Sequence, residues 1–134
     1  MVADISLMQN LANEEIADIS LYRNESKLFS DKIIGGKRIA DKFIEFASDE
    51  TNHLLALNLL SGKSLKNKVR IIPPFSSLRK NLKVHATREK ESIKLYTLLM
   101  LTLKNNNHKK IISKIIEQEE KHLRTINRYL LLIG

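Results

Sequence analysis

Four stretches of this 134-residue chain place apolar side chains at steps of three and four, and each breaks its stripe near the middle with a glutamate. Residues 3–29 read Met8, Ala12, Glu15, Ile19, Tyr22, Phe29, and residues 36–60 read Ile39, Phe43, Phe46, Glu50, His53, Leu57, Leu60. Residues 77–104 read Leu78, Leu82, His85, Glu89, Ser92, Tyr96, Leu99, Leu103, and residues 107–133 read Ile112, Ile115, Glu119, His122, Ile126, Tyr129, Ile133. This spacing is that of amphipathic helices, not of alternating strands. At a rise of 1.5 Å per residue each helix is roughly 35–40 Å long, the scale of a four-helix bundle. With only 4 glycines and 2 prolines, a turn-rich β architecture is excluded, and 43% hydrophobic residues suffice for one core. The expectation is one all-α domain over residues 1–134.

The links between the stripes set the topology. Residues 30–35, running into Gly35 and Gly36, are short enough to force helices 1 and 2 antiparallel, and Asn105, Asn106 and Asn107 do the same for helices 3 and 4. Residues 61–76, with Gly62, Pro73 and Pro74, could extend roughly 50 Å and run the length of the bundle. Two antiparallel hairpins joined by one long crossover between helices 2 and 3 is the ferritin-like connectivity.

Glu15 and Glu50 lie 18 and 17 residues from Ile33, in the first link, and Glu89 and Glu119 lie 16 and 14 residues from Asn105, in the second. Hairpin packing therefore brings the four carboxylates into one layer at mid-bundle. Four buried carboxylates cannot all stay ionised side by side without positive charge among them. The stripes carry no Lys or Arg there, as an ordinary interhelical salt-bridge network would require. Two divalent cations balance four carboxylates with two neutral imidazoles. His53 and His122 each follow a glutamate by three residues and so share its helical face. Cysteine is absent, which excludes disulfides, thiolate metal sites, iron–sulfur clusters and thiol nucleophiles. Oxygen and imidazole donors suit iron or manganese, and zinc accepts them too.

The set Glu15, Glu50-x-x-His53, Glu89, Glu119-x-x-His122 resembles the di-iron carboxylate motif of the ferritin-like superfamily, and within it the rubrerythrin family. Around helix 2, Ile39-Ala-Asp-Lys-Phe43-x-x-Phe46-Ala-x-x-Glu50-x-x-His53 is similar to that family's second-helix signature, and Tyr22 and Tyr96 each follow a motif glutamate by seven residues. The resemblance covers nearly the whole chain in motif order. It implies two iron ions bridged by Glu50 and Glu119, with His53 and His122 each on one metal and Glu15 and Glu89 as terminal ligands. Tyr22 and Tyr96 would stand behind the ligands, hydrogen-bonding them and able to donate an electron. The implied chemistry is reduction of hydrogen peroxide or O2, or oxidation of Fe(II), with a separate protein as electron donor. Family peroxidases carry an extra carboxylate one turn after the helix-3 ligand. Ser92 stands there in this chain, which favours an oxidase or ferritin-like site over redox-linked ligand exchange.

Other readings compete. Iron storage or ferroxidase activity without a second substrate would use the same ligands. The net charge of +8 is concentrated in residues 63–90, where nine basic residues face one acid, Glu89, but charge runs are usually solvated faces and nucleic-acid binding is the weaker reading. His85 reads as a hydrogen-bonded histidine at the rim of the core, while Glu14, Arg88, Lys90, Glu120 and Lys121 read as outer-face residues. Leu21, Leu28, Leu130 and Leu132, off the main stripes, together with the resemblance, point to a homodimer. Acidic residues at Asp4, Glu14 and Glu15 interrupt any signal peptide and the longest apolar run is too short to span a bilayer, so a cytoplasmic location is expected.

Overall fold

The computed structural model describes residues 4–33, 35–62, 65 and 77–133. They form four helices, α1 (Ile5–Lys32), α2 (Lys37–Ser61), α3 (Leu78–Thr102) and α4 (Asn106–Leu132), within three residues of the stretches expected from periodicity. Local chemistry sets their ends. Asp4 accepts from Leu7 N at 3.0 Å and Ser77 accepts from Lys80 N at 3.2 Å, each capping a first turn whose amides lack carbonyl partners. Asn105 caps α4 twice, accepting from Asn107 N at 2.8 Å and His108 N at 3.3 Å. Gly62 ends α2 at φ +71°, where a side chain is strained. At the turn between α1 and α2, a Cβ on Gly36 would collide with the Phe29 carbonyl, so only glycine lets the chain reverse there.

Cross-helix contacts give the register. Ser26 Oγ donates to the Ala40 carbonyl and His53 faces Glu15, so α1 and α2 run antiparallel. Tyr96 reaches Glu15 while Asn81 reaches Glu25, so α1 and α3 are antiparallel too. α2 and α4 meet through His53–Gln118 and Asp49–His122, again antiparallel. α2 and α3 are therefore parallel and sit on opposite corners of the bundle, each packed against α1 and α4. This is the ferritin-like arrangement expected from the link lengths. The crossover itself, apart from Leu65, lies outside the described residues. Leu65 is buried, and its amide donates to Asn58 Oδ1 at 3.0 Å.

The apolar core is split. At one end Met8, Leu11, Leu57, Leu99 and Ile112 pack together, and at the other Phe29, Phe43, Phe46, Leu82 and Ile126 do so. Phe43 meets Phe29, Phe46 and Tyr129 at ring separations of 5.2–5.8 Å. The polar layer lies between these clusters. Because α1 touches both α2 and α3, its buried face is wider than one stripe, and Leu21 is buried rather than open to a partner; Leu28 and Leu130 are half-buried. Leu132 is exposed as expected, along with Leu55, Leu59, Leu98, Leu101 and Leu131. Among the described residues, no helix is long and apolar enough to cross a membrane. Of the basic segment, Arg79, Lys80, Lys83 and Lys90 are exposed on α3, and Lys63, Lys66, Lys68 and Arg70 lie outside the described residues.

Two substitutions probe this architecture by urea unfolding. Phe43→Ala removes the ring at the centre of one core cluster and lowers stability by ~3–5 kcal/mol. Asn105→Ala removes both cap bonds of α4 and lowers it by ~1 kcal/mol, while Asn105→Gly loses only a few tenths. Equal effects of the Ala and Gly variants would show that the cap has no such role.

Candidate metal centre

The bundle brings all six stripe residues, Glu15, Glu50, His53, Glu89, Glu119 and His122, into one layer, none more than 2% exposed. Each helix contributes one carboxylate, and α2 and α4 each add the imidazole three residues on. Two groups form, Glu15–Glu50–His53–Glu119 and Glu50–Glu89–Glu119–His122, each with one donor atom per residue and all donors within 4.8 Å of one another. Glu50 and Glu119 belong to both. Each four-residue set could hold a metal ion.

The two halves are related by an approximate two-fold exchange of the hairpins. Tyr22 on α1 donates to Glu89 Oε1 at 3.1 Å, and Tyr96 on α3 donates to Glu15 Oε1 at 2.9 Å, so each phenol steadies the other hairpin's carboxylate. The imidazoles are anchored from outside. His53 Nε2 lies 2.6 Å from Gln118 Oε1 and His122 Nε2 lies 2.9 Å from Asp49 Oδ2. Those bonds turn both Nδ1 atoms inward, to 3.1 Å from Glu119 Oε1 for His53 and 3.1 Å from Glu50 Oε1 for His122. An imidazole held at one nitrogen by an acceptor and free at the other is the posture of a metal ligand.

The inward atoms converge without satisfying one another. Glu15 Oε2, both oxygens of Glu50 and of Glu119, Glu89 Oε2 and the Nδ1 atoms of His53 and His122 are buried without a hydrogen-bond partner among the described residues. Native proteins leave only a few such groups per hundred residues, so eight gathered in one layer need an explanation. Burial, then the neighbouring carboxylates, pushes Glu50 and Glu119 well above the usual range. For His53 burial pulls downward, but the adjacent Glu119 and Glu15 carboxyls prevail and lift it to about 11. Burial also raises Glu89, yet His85, Glu119 and the charge of His122 outweigh it and leave that carboxyl at about 2. Tyr22 and Tyr96 are held protonated, by burial first and adjacent carboxylates second, which keeps them donors.

A second buried polar group adjoins the layer between α1 and α3. His85, with no exposed surface, lies 2.7 Å from Glu25 Oε1 through Nδ1 and 3.2 Å from Glu89 Oε1 through Nε2. It is thus in the core, not at its rim. Asn81 donates to Glu25 Oε2 at 2.7 Å. Arg88 turns inward instead of joining the outer face: its side chain is 13% exposed and binds Asp18 Oδ1 at 2.7 Å and the half-buried Glu14. Asp18 and Glu14, both on α1, accept its hydrogen bonds and hold the guanidinium against that helix. Burial, then Glu89, raises Asp18 to about 8 against the pull of His85 and Arg88. Asp18 and Glu25 continue the α1 stripe of Glu15, Tyr22 and Phe29, a periodicity that marks them as inward-facing. Asp49 and Gln118 carry no such mark, because each precedes a stripe glutamate and reaches its imidazole only across the α2–α4 seam. Glu120, Lys90 and Lys121 are exposed, as expected.

Fold and site together define a ferritin-like four-helix bundle with a buried carboxylate–imidazole layer. The rubrerythrin family profile matches residues 7–130, and the chain belongs to that family. Among solved structures it is similar to a bacterioferritin of Rhodobacter capsulatus, described with a metal-free dinuclear site and a haem iron. The TM-score is 0.76 at 21% identity, over 98% of this chain and 88% of that one. No curated protein matches in sequence.

The protonation pattern gives the metal-free protein a distinctive pH response. Glu50, Glu119 and Asp18 keep protons in the fold that the unfolded chain releases above about pH 4, and His53 keeps one above 6.5. Both effects make the unfolded state the weaker proton binder, so stability falls as pH rises from 5 to 8. Thermal melts in chelator should show that fall, and Glu119→Gln should raise the melting temperature at pH 8 by removing the cost of taking up a proton at that carboxyl on folding. A pH-independent melt with no gain from Glu119→Gln would contradict the pattern.

Proposed function

We propose that the protein is a non-haem dinuclear metal protein, with iron as the working metal, that reduces hydrogen peroxide or O2 or oxidises Fe(II). The supporting observation is the set of eight buried, unpartnered oxygen and nitrogen atoms of Glu15, Glu50, His53, Glu89, Glu119 and His122 turned toward one another in a single layer. Their donors fit two divalent cations: Glu50 and Glu119 are shared, His53 and Glu15 complete one set, and His122 and Glu89 complete the other. Hard oxygen donors with one imidazole per metal suit iron and manganese and admit zinc. Iron bound there would exchange electrons with O2 or peroxide, which no side chain of the set can do.

The chain's own residues then have separable tasks. Glu50 and Glu119 would hold both cations, while Tyr22 and Tyr96 steer Glu89 and Glu15 by hydrogen bonds. Asp49 and Gln118 fix the imidazole tautomers by occupying the outer nitrogens. The two apolar clusters keep bulk water away from either end of the layer. With no cysteine among these 134 residues, electrons come from a donor outside this domain. A homodimer in the cytoplasm is the setting we assign.

Ser92 gives specific support to a second reading, ferritin-like Fe(II) oxidation and storage. It is buried one turn beyond Glu89, where a mobile extra carboxylate would be needed for redox-linked ligand exchange. The two readings part on assembly and substrate: a hollow shell that accumulates iron supports storage, and a dimer that turns over peroxide with an external reductant supports the redox enzyme.

Elemental analysis of the purified protein should give two iron or manganese ions or more per chain, and the Glu50→Ala/Glu119→Ala variant should lose the dinuclear pair together with peroxide and O2 consumption. Asp49→Ala, which frees the outer nitrogen of His122, should weaken metal affinity ~10–100-fold without unfolding the bundle. Folded protein that takes up no metal after anaerobic Fe(II) loading would overturn the proposal.

A further inference from the structure

We propose that Asp18, His85 and Glu89 form a third divalent-cation site, on the α1–α3 side of the dinuclear layer. One donor atom from each lies within 4.8 Å of the others, and all three residues are fully buried. His85 Nε2 and Glu89 Oε1 are 3.2 Å apart. Two donors ~2.1 Å from one cation, at angles between a right angle and tetrahedral, stand ~3.0–3.4 Å apart. His85 is anchored at Nδ1 by Glu25, itself held by Asn81, so Nε2 is presented toward Glu89 in the way a carboxylate–histidine–metal arrangement requires. Asp18 spends one oxygen on Arg88, and its other, Oδ2, is buried with no hydrogen-bond partner among the described residues, as is Glu89 Oε2.

The approximate two-fold relation of the hairpins shows that the fold does not require these groups. Exchange of Glu15 with Glu89 exchanges His85 with Leu11, Asp18 with Ser92 and Glu25 with Leu99. Leu11 and Leu99 are ordinary members of the apolar core in the other half. The same packing geometry thus accepts aliphatic side chains, and the polar residues are an addition to one half only.

Charge supports a divalent ion. With the dinuclear pair balancing the four layer glutamates, Arg88 faces Asp18 and Glu14, and Glu25 adds a further negative charge behind His85. With all three carboxyls ionised they exceed Arg88 by two negative charges, which one divalent cation beside a neutral His85 would close. A cleft of about 380 Å³ between α1 and α3 is lined by Asn10, Asn13, Glu14, Arg88, Glu91 and Ser92, and the Arg88 side chain lies between it and Asp18.

Mn(II) is the probe. Equilibrium dialysis of chelator-stripped protein should reach three Mn(II) per chain, falling to two in Asp18→Asn and in His85→Gln, with helical circular dichroism unchanged. Crystals of the wild type soaked in Mn(II) should show an anomalous peak between His85 Nε2, Asp18 and Glu89; this needs no variant to fold. Saturation at two ions with no peak there overturns the third site and leaves the dinuclear proposal standing. A peak there with none among Glu15, Glu50, Glu119 and His122 supports the third site and overturns the dinuclear proposal. No bound manganese anywhere overturns both.

Discussion

Four glutamate carboxylates buried in one layer, with no Lys or Arg inside it, are the constraint to which the rest of the molecule answers. Isolated carboxylates in so dry a place would carry a desolvation penalty of several kcal/mol each, and their mutual repulsion would add to it. The fold tolerates the layer by enclosing it between two apolar clusters and by setting rigid donors around it. Tyr22 and Tyr96 reach across from opposite hairpins, and the imidazoles are pinned from the α2–α4 seam. What these supports leave unmet is oriented inward. The apolar ends keep the bundle together, and the middle is shaped for positive charge.

The approximate two-fold relation also explains where the protein departs from symmetry. In the layer itself the halves match: glutamate, phenol, glutamate, imidazole from each hairpin. Outside it they differ, with Leu11, Ser92 and Leu99 on one side and His85, Asp18 and Glu25 on the other. Arg88 turns in only on the second side, because only there does a buried Asp18 await it. The α1–α3 seam is therefore polar around one half-site and apolar around the other, although both seams between hairpins are built by the same helical register.

Much of this was legible before any coordinates, because the information is periodic. Glu15, Glu50, Glu89 and Glu119 interrupt apolar stripes at matched distances from two short links, so helical geometry alone places them at one height. The same reasoning should have reached Asp18 and Glu25, which lie on the Glu15 stripe. The charge of Arg88 suggested solvent, where Asp18 and Glu14 in fact hold it against α1. Asp49 and Gln118 were beyond reach in principle: each sits about 100° around its helix from the adjoining glutamate, and only the approach of α2 to α4 gives it an imidazole. Leu21 was misplaced for a related reason, since a helix in contact with two neighbours buries more than one stripe.

The central claim, that this layer is built around two metal ions, is tested most directly by X-ray absorption at the iron edge of the Fe(II)-loaded protein. The account predicts a shell of oxygen and nitrogen only, about one imidazole per iron, and a second iron within ~4 Å. A mononuclear, water-like shell with no iron–iron vector would contradict it, and the four glutamates would then be a buried polar network whose charge is met by protons.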